Sequence, residues 1–204
     1  MIPSPLRKNF WKICLTLIVV SGSYGVASLF LQGITFYVFD AIWRISVVGW
    51  IIGFCKFHLN LSKRQYLALS ILFLTEFSVY RYLAPSFPII RIFISVIGAP
   101  LLEELLFRGW IMDRIEGAER DKILYSSLFF SLYHLKNVFV LSPLALLYQL
   151  LYAGLIVGPL FGWVRLRYKT LFTSILLHSG NNCVADVITA RISPLLMQRK
   201  KNFT

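Results

Sequence analysis

Three short patterns in the second half of the chain combine acidic, imidazole and carboxamide side chains at helical spacing. They are EExxxR at Glu103, Glu104 and Arg108, FxxxH at Phe130 and His134, and HxxxN at His178 and Asn182. A carboxylate can act as a general base, while imidazole and carboxamide N–H groups can stabilise a developing oxyanion. The combination favours activation of a water molecule for attack on a carbonyl carbon.

The EExxxR pattern gives its two acids different surroundings. On a helix, Glu104 and Arg108 are one turn apart and can form an ion pair. Glu103 is rotated by about 100° from Glu104 and can face another direction, so we expect it to be left free of a cation. This arrangement favours Glu103 as a general base supported by Glu104 and Arg108. A pair of interfacial acids with a basic partner is an equally open interpretation of this pattern by itself.

The two histidine patterns also have structural alternatives. The ring of His134 could pack against the phenylalanine of its own helix, or hydrogen-bond to a neighbouring helix. His178 and Asn182 project from one helical face, where both can donate hydrogen bonds to an oxyanion. Ser179 has no base of its own, and Cys183 lies one residue off that face. The set is therefore suited to activating water and not to forming an acyl-enzyme.

The overall composition is that of a membrane protein. Hydrophobic residues make up 57% of the 204 residues and charged residues 15%, and the mean hydropathy is +0.70. Soluble domains carry about 25% charged residues, so a soluble enzyme and a disordered chain are both excluded. Most of the net charge of +12 comes from short gaps between apolar runs. Basic residues there meet anionic lipid headgroups, and we expect no nucleic-acid partner.

Seven apolar runs approach the length of about 20 residues that a helix needs to cross the hydrocarbon core. They cover about residues 11–31, 35–54, 66–83, 89–110, 123–141, 144–164 and 171–190. We therefore predict an all-α, polytopic transmembrane helix bundle of about seven spans. Lys and Arg concentrate in alternate gaps, which predicts a cytoplasmic N-terminus. Seven spans would place the tail outside, yet the tail is also basic. An eighth span is therefore open, and it would form if residues 188–197 turn back into the membrane.

Several other ionisable residues are predicted to be structural. Asp40 and Arg44 are one turn apart and can neutralise each other. Glu76 lies near the end of the third run, where its side chain can snorkel to the headgroups. Lys136 lies near the end of the fifth run and is counted as the basic residue of the gap that follows it, and His58, in a basic gap, is expected to be solvated.

The order of EExxxR, FxxxH and HxxxN on successive membrane helices resembles the CPBP family of intramembrane endopeptidases. That family includes the type II CAAX prenyl endopeptidases and the bacteriocin-processing and self-immunity proteins. The resemblance covers about residues 89–186. It implies that water is activated by Glu103 and His134, that the oxyanion is bound by His178 and Asn182, and that Glu104 and Arg108 support the site.

The sequence thus predicts three segments and one activity. Residues 1–88 form N-terminal transmembrane helices without a recognised motif, residues 89–190 a CPBP-like catalytic core, and residues 191–204 a basic tail. The resemblance implies a glutamic intramembrane endopeptidase without a cofactor. The pattern of basic gaps and an uncleaved first span predict a multi-pass protein of the cell inner membrane. Its partners would be membrane lipids and a membrane-associated or lipidated peptide or protein. A prenylated CAAX tail, a leader peptide and a sorting tag fit equally well.

Three alternatives remain open at this stage. A zinc hydrolase could use Glu103, His134 and His178 as ligands and keep one position for water, although the cation of Arg108 disfavours a metal. A non-catalytic membrane scaffold or self-immunity protein of the same fold would bind a partner peptide without cleaving it. A small transporter would need discontinuous helices in two related halves, and the sequence shows no such symmetry.

Overall fold

The computed structural model describes residues 9–53, 62–83 and 88–201, and within them it contains helices and no strands. We number the helices α1 to α7. They are α1 Phe10–Phe30, α2 Gly33–Gly53, α3 Lys63–Leu83, α4 residues 89–114, α5 Glu119–Tyr133, α6 Pro143–Tyr168 and α7 Leu171–Lys201. The predicted all-α bundle is confirmed, and each helix lies on one of the seven apolar runs.

Three of these helices, α1, α2 and α6, are long and apolar enough to cross a membrane by length and composition. The count of seven spans stays a prediction, because helices such as α4 carry charged residues within their apolar stretch. α7 is one continuous helix across residues 188–197, where an eighth span would need a turn. His58 lies outside the described residues, so its predicted solvation is untested.

The core of the bundle surrounds α4. Leu102, Leu105, Leu106 and Phe107 on this helix are all fully buried, and α4 contacts α2, α5 and α7. The outer faces of the bundle are also apolar, as Trp11 on α1 illustrates with 73% exposure. Apolar residues on both the inner and outer faces are what a helix bundle in lipid requires.

Three widened, π-helical turns interrupt α4 and α6. They are Ile94–Gly98, Leu105–Ile111 and Ala153–Val157. Such turns occur frequently at functional sites, and the second one includes Arg108 of the EExxxR pattern. α5 ends in a similar local change, because a 3-10 segment, His134–Phe139, continues it. His134 is the first residue of that segment.

Gly158 allows α6 to approach α5 closely. A Cβ atom at this position would lie 2.4 Å from the backbone oxygen of Ala153 and 2.9 Å from Cβ of Ser127. We expect Gly158→Ala to lower the free energy of unfolding by about 1–3 kcal/mol through overpacking, as measured by thermal unfolding in detergent micelles. Gly22→Ala is the control, since nothing lies within 4 Å of a Cβ there. Equal stability of Gly158→Ala and the unaltered protein would contradict this packing.

Candidate active site

All four predicted catalytic side chains line one cavity of about 270 Å³ inside the bundle. Glu103 comes from α4, His134 from the end of α5, and His178 and Asn182 from α7. Three helices that are separate in the sequence therefore bring these side chains together. Their chemical roles stay predictions.

Glu104 is fully buried beside the cavity and accepts two hydrogen bonds on one oxygen. Its Oε1 accepts from Arg108 Nη1 at 3.0 Å and from His178 Nδ1 at 2.9 Å. Arg108 is also fully buried, and its Nη2 donates to the backbone oxygen of Gly158 at 3.1 Å. The ion pair predicted from the spacing is confirmed, and it also holds the imidazole of His178 in one orientation.

His178 lies between two carboxylates. Because Glu104 accepts from Nδ1, the other ring nitrogen, Nε2, faces Glu103 and lies 3.6 Å from its Oε2. Phe161 stacks on the imidazole with 5.1 Å between the ring centroids. Two acids and one aromatic face therefore fix the position of the ring and leave Nε2 facing the cavity.

Glu103 has a cationic neighbour that the sequence interpretation missed. Its Oε1 lies 3.8 Å from Arg44 Nη1 of α2, so the expectation that this acid is free of a cation is wrong. Arg44 also forms the predicted pair with Asp40, with 2.8 Å between Nε and Oδ1. The distances from Glu103 to Arg44 and to His178 both exceed that of a direct hydrogen bond, which suits a carboxylate that must bind water.

His134 is oriented by its own helix. Its Nδ1 lies 2.8 Å from the backbone oxygen of Phe130, and since a carbonyl oxygen only accepts, Nδ1 donates. In a neutral ring the lone pair is then on Nε2, which can accept a hydrogen bond from water. The ring of Phe130 packs edge-on against His134 at 4.8 Å. This confirms the predicted contact within the FxxxH pattern.

Asn182 joins α7 to the first widened turn of α4. Its Nδ2 donates to the backbone oxygen of Ser95 at 3.1 Å. A carboxamide carries two N–H donors, so this bond uses one of them. The side chain of Ser95 donates to Asp186, which lies 3.7 Å from Arg91. These contacts hold the carboxamide at the edge of the cavity.

Two residues that were predicted to lie at the membrane surface are buried. Lys136 is only 7% exposed and lines the cavity. Glu76 is 8% exposed and accepts a hydrogen bond from the hydroxyl of Ser179, because α3 packs against α7. The prediction that Glu76 snorkels to the headgroups is therefore wrong. Burial of these side chains depends on how the helices are rotated in the bundle, which no local pattern specifies.

The zinc alternative gains no support from the geometry. Within residues 9–53, 62–83 and 88–201, no three His, Cys, Asp or Glu side chains form a group that could hold a metal ion. Nδ1 of His178 is already bonded to Glu104, which leaves only its Nε2 for any ligand. Glu103, His134 and His178 share the cavity without forming a metal-binding group.

Comparison with known proteins supports the relationship suggested by the motifs. A search of curated proteins and a search of solved structures each found no match. Residues 85–184 match the family model described as "Type II CAAX prenyl endopeptidase Rce1-like", and this segment contains all three motifs. The resemblance proposed from the sequence is confirmed for residues 85–184, which are similar to the Rce1-like type II CAAX prenyl endopeptidases, and the match indicates a membrane protease.

Proposed function

We propose that this chain is a metal-free intramembrane endopeptidase that cleaves a membrane-associated or lipidated peptide with a water molecule activated by Glu103. The observation that carries the proposal is the shared cavity of Glu103, His134, His178 and Asn182. The family match supports a protease of this kind, and the residue roles below are our assignment.

Water activation is assigned to Glu103 and His134. A water molecule between them donates one hydrogen bond to the Glu103 carboxylate and the other to Nε2 of His134. Its lone pair then faces the scissile carbonyl carbon. Glu103 removes the proton as the oxygen–carbon bond forms, a contribution of about 10²- to 10⁴-fold in rate for general-base catalysis. When the carbon–nitrogen bond breaks, Glu103 returns the proton to the leaving amine.

Oxyanion stabilisation is assigned to Asn182 and His178. Asn182 has a second N–H beyond the one bonded to Ser95. This role requires a proton on both ring nitrogens of His178, so that Nδ1 donates to Glu104 and Nε2 donates to the oxyanion. Glu104 and Arg108 are positioning residues, because they act on the reaction by holding His178.

Removal of the Asn182 carboxamide tests the oxyanion assignment. We expect Asn182→Ala to lower kcat by about 10²- to 10³-fold with little change in KM, since one oxyanion donor contributes about 2.7–4 kcal/mol. The assay is cleavage of a farnesylated peptide ending in a CAAX sequence by purified protein in detergent micelles. Asn9→Ala is the matched control, because it removes a carboxamide that donates to the backbone oxygen of Arg114 at 3.0 Å and lines neither this cavity nor the adjoining one. An equal loss in both variants would contradict the assignment.

The orientation in the membrane belongs to the same proposal. The alternation of basic gaps supports a cytoplasmic N-terminus, with residues 89–190 as the catalytic core in the cell inner membrane. Labelling single cysteines introduced at Ser62 and Glu116 with a membrane-impermeant reagent in intact cells tests it. Both positions are exposed, Ser62 in the gap after the second apolar run and Glu116 in the gap after the fourth. With a cytoplasmic N-terminus both should be protected from the reagent until the membrane is opened.

A further inference from the structure

We propose that Lys136 binds the free carboxylate at the C-terminal end of the substrate peptide. The cavity would then recognise the end of a chain as well as the bond to be cleaved. This inference rests on the proposed function, because it requires a peptide in the cavity that contains Glu103. The ligand class is a terminal carboxylate.

Lys136 is a buried cation without a hydrogen-bonding partner. Its side chain is more than nine-tenths buried, and its Nζ has no acceptor among the described residues. Lysine is rarely buried without a partner, and an ammonium removed from water requires compensation. The side chain lines the cavity, so a ligand entering that cavity can supply the missing acceptor.

Aromatic rings surround the ammonium but offer it no oxygen or nitrogen acceptor. Nζ lies 3.5 Å from the ring centroid of Tyr133, 4.6 Å from that of Tyr24 and 5.7 Å from that of Trp43. Such cation–π contacts attract the charge to the ring faces. Anionic ligands are bound by N–H donors, and those of Lys136 remain available for one.

The charges around Lys136 leave room for an additional anion once Glu103 is protonated. The acids that act on it are Glu103 and Asp40, and Asp40 is already paired with Arg44. Nη1 of Arg44 is buried, has no hydrogen bond and lies in the same cavity lining. When Glu103 takes up a proton during the reaction, its charge is lost while both cations remain. A carboxylate beside Lys136 would restore the balance.

A terminal carboxylate fits this position better than a phosphate group of a lipid. The cavity of about 270 Å³ also contains the proposed base and oxyanion donors, so the anion that reaches Lys136 must share that space with the scissile bond. The end of the same peptide chain satisfies this requirement, because an extended chain advances only about 3.3–3.6 Å per residue. A separate lipid headgroup would compete with the substrate.

Binding to a catalytically inactive protein tests the inference independently of cleavage. The probes are a farnesylated CAAX peptide with a free C-terminal carboxylate and the same peptide with a C-terminal amide. In the Glu103→Gln protein, we expect the acid to bind about 10- to 100-fold more tightly than the amide, the range for one charge-assisted hydrogen bond. Adding Lys136→Met should abolish this difference, and adding Lys136→Arg should keep most of it.

The matched control is Lys63→Met, which removes an exposed lysine at the start of α3 and should leave the preference for the acid unchanged. Equal binding of acid and amide by the Glu103→Gln protein would overturn the inference. An equal weakening of both peptides by Lys136→Met would also overturn it, because Lys136 would then contribute to binding without distinguishing the carboxylate from the amide. An amidated peptide ending in glutamate that binds as tightly as the acid would show that any carboxylate suffices.

The outcomes that refute the proposed endopeptidase differ from those that refute the carboxylate site. A preference for the acid that depends on Lys136, together with no cleavage of either peptide by the unaltered protein, would refute the endopeptidase and keep the carboxylate site. Cleavage of acid and amide with equal kcat/KM would keep the endopeptidase and refute the carboxylate site.

Discussion

Replacing Glu103 with glutamine is expected to lower kcat for peptide hydrolysis by about 10²- to 10⁴-fold. Glutamine has nearly the same shape as glutamate, so the cavity should keep its packing, but an amide cannot accept the proton of the attacking water. KM should change little, because this side chain is assigned to water and not to the peptide. Single-turnover cleavage of the farnesylated CAAX peptide in detergent micelles measures the effect.

The matched control is Glu116→Gln, which makes the same chemical change at an exposed position between α4 and α5. Its kcat should equal that of the unaltered protein. Thermal unfolding of Glu103→Gln checks that the variant is folded. A folded Glu103→Gln protein that cleaves at the original rate would remove Glu103 from the mechanism.

The second large effect concerns stability. Arg108→Met is expected to lower the free energy of unfolding by about 3–5 kcal/mol, because it leaves the carboxylate of Glu104 buried without its cation. Both side chains are fully buried, and Arg108 also loses its bond to the backbone of Gly158. Denaturant unfolding in mixed micelles measures the change. His178 would keep a bond to Glu104, so some compensation remains.

Two comparison variants separate the causes of that loss. Arg120→Met removes an exposed arginine near the start of α5 and should leave stability within about 0.5 kcal/mol of the original. The double variant Glu104→Leu with Arg108→Met should regain much of the stability, because apolar replacement of a whole buried pair is often neutral. Its activity should stay low, since His178 has lost its positioning partner. A double variant no more stable than Arg108→Met would contradict the account.

Contacts within one helix could be predicted because α-helical geometry alone determines them. Glu104 and Arg108 are one turn apart, as are Asp40 and Arg44, and both pairs form as expected. The edge-on contact of Phe130 with its own histidine follows the same rule. The positions of the helices could be predicted for a related reason, since apolar runs of this length are stable in lipid only as helices.

Contacts between helices could not be predicted, because both the core and the lipid-facing surface of this bundle are apolar. The usual amphipathic pattern that distinguishes the inner face of a helix is therefore weak. The reach of Arg44 to Glu103 and the burial of Glu76 against Ser179 both depend on helix rotation. Lys136 was counted with the gap after the fifth run, whereas the 3-10 segment after α5 directs it inwards.

The most direct test of the central claim is single-turnover cleavage of the farnesylated CAAX peptide in H₂¹⁸O by chelator-treated protein, followed by mass spectrometry of the product. If Glu103 activates water without a metal, the new carboxyl group carries one ¹⁸O atom, and the rate equals that of untreated protein. Cleavage that stops on chelation and returns with zinc would contradict the account. So would a product without ¹⁸O together with ¹⁸O in Glu103, which would indicate that the carboxylate attacks the peptide itself.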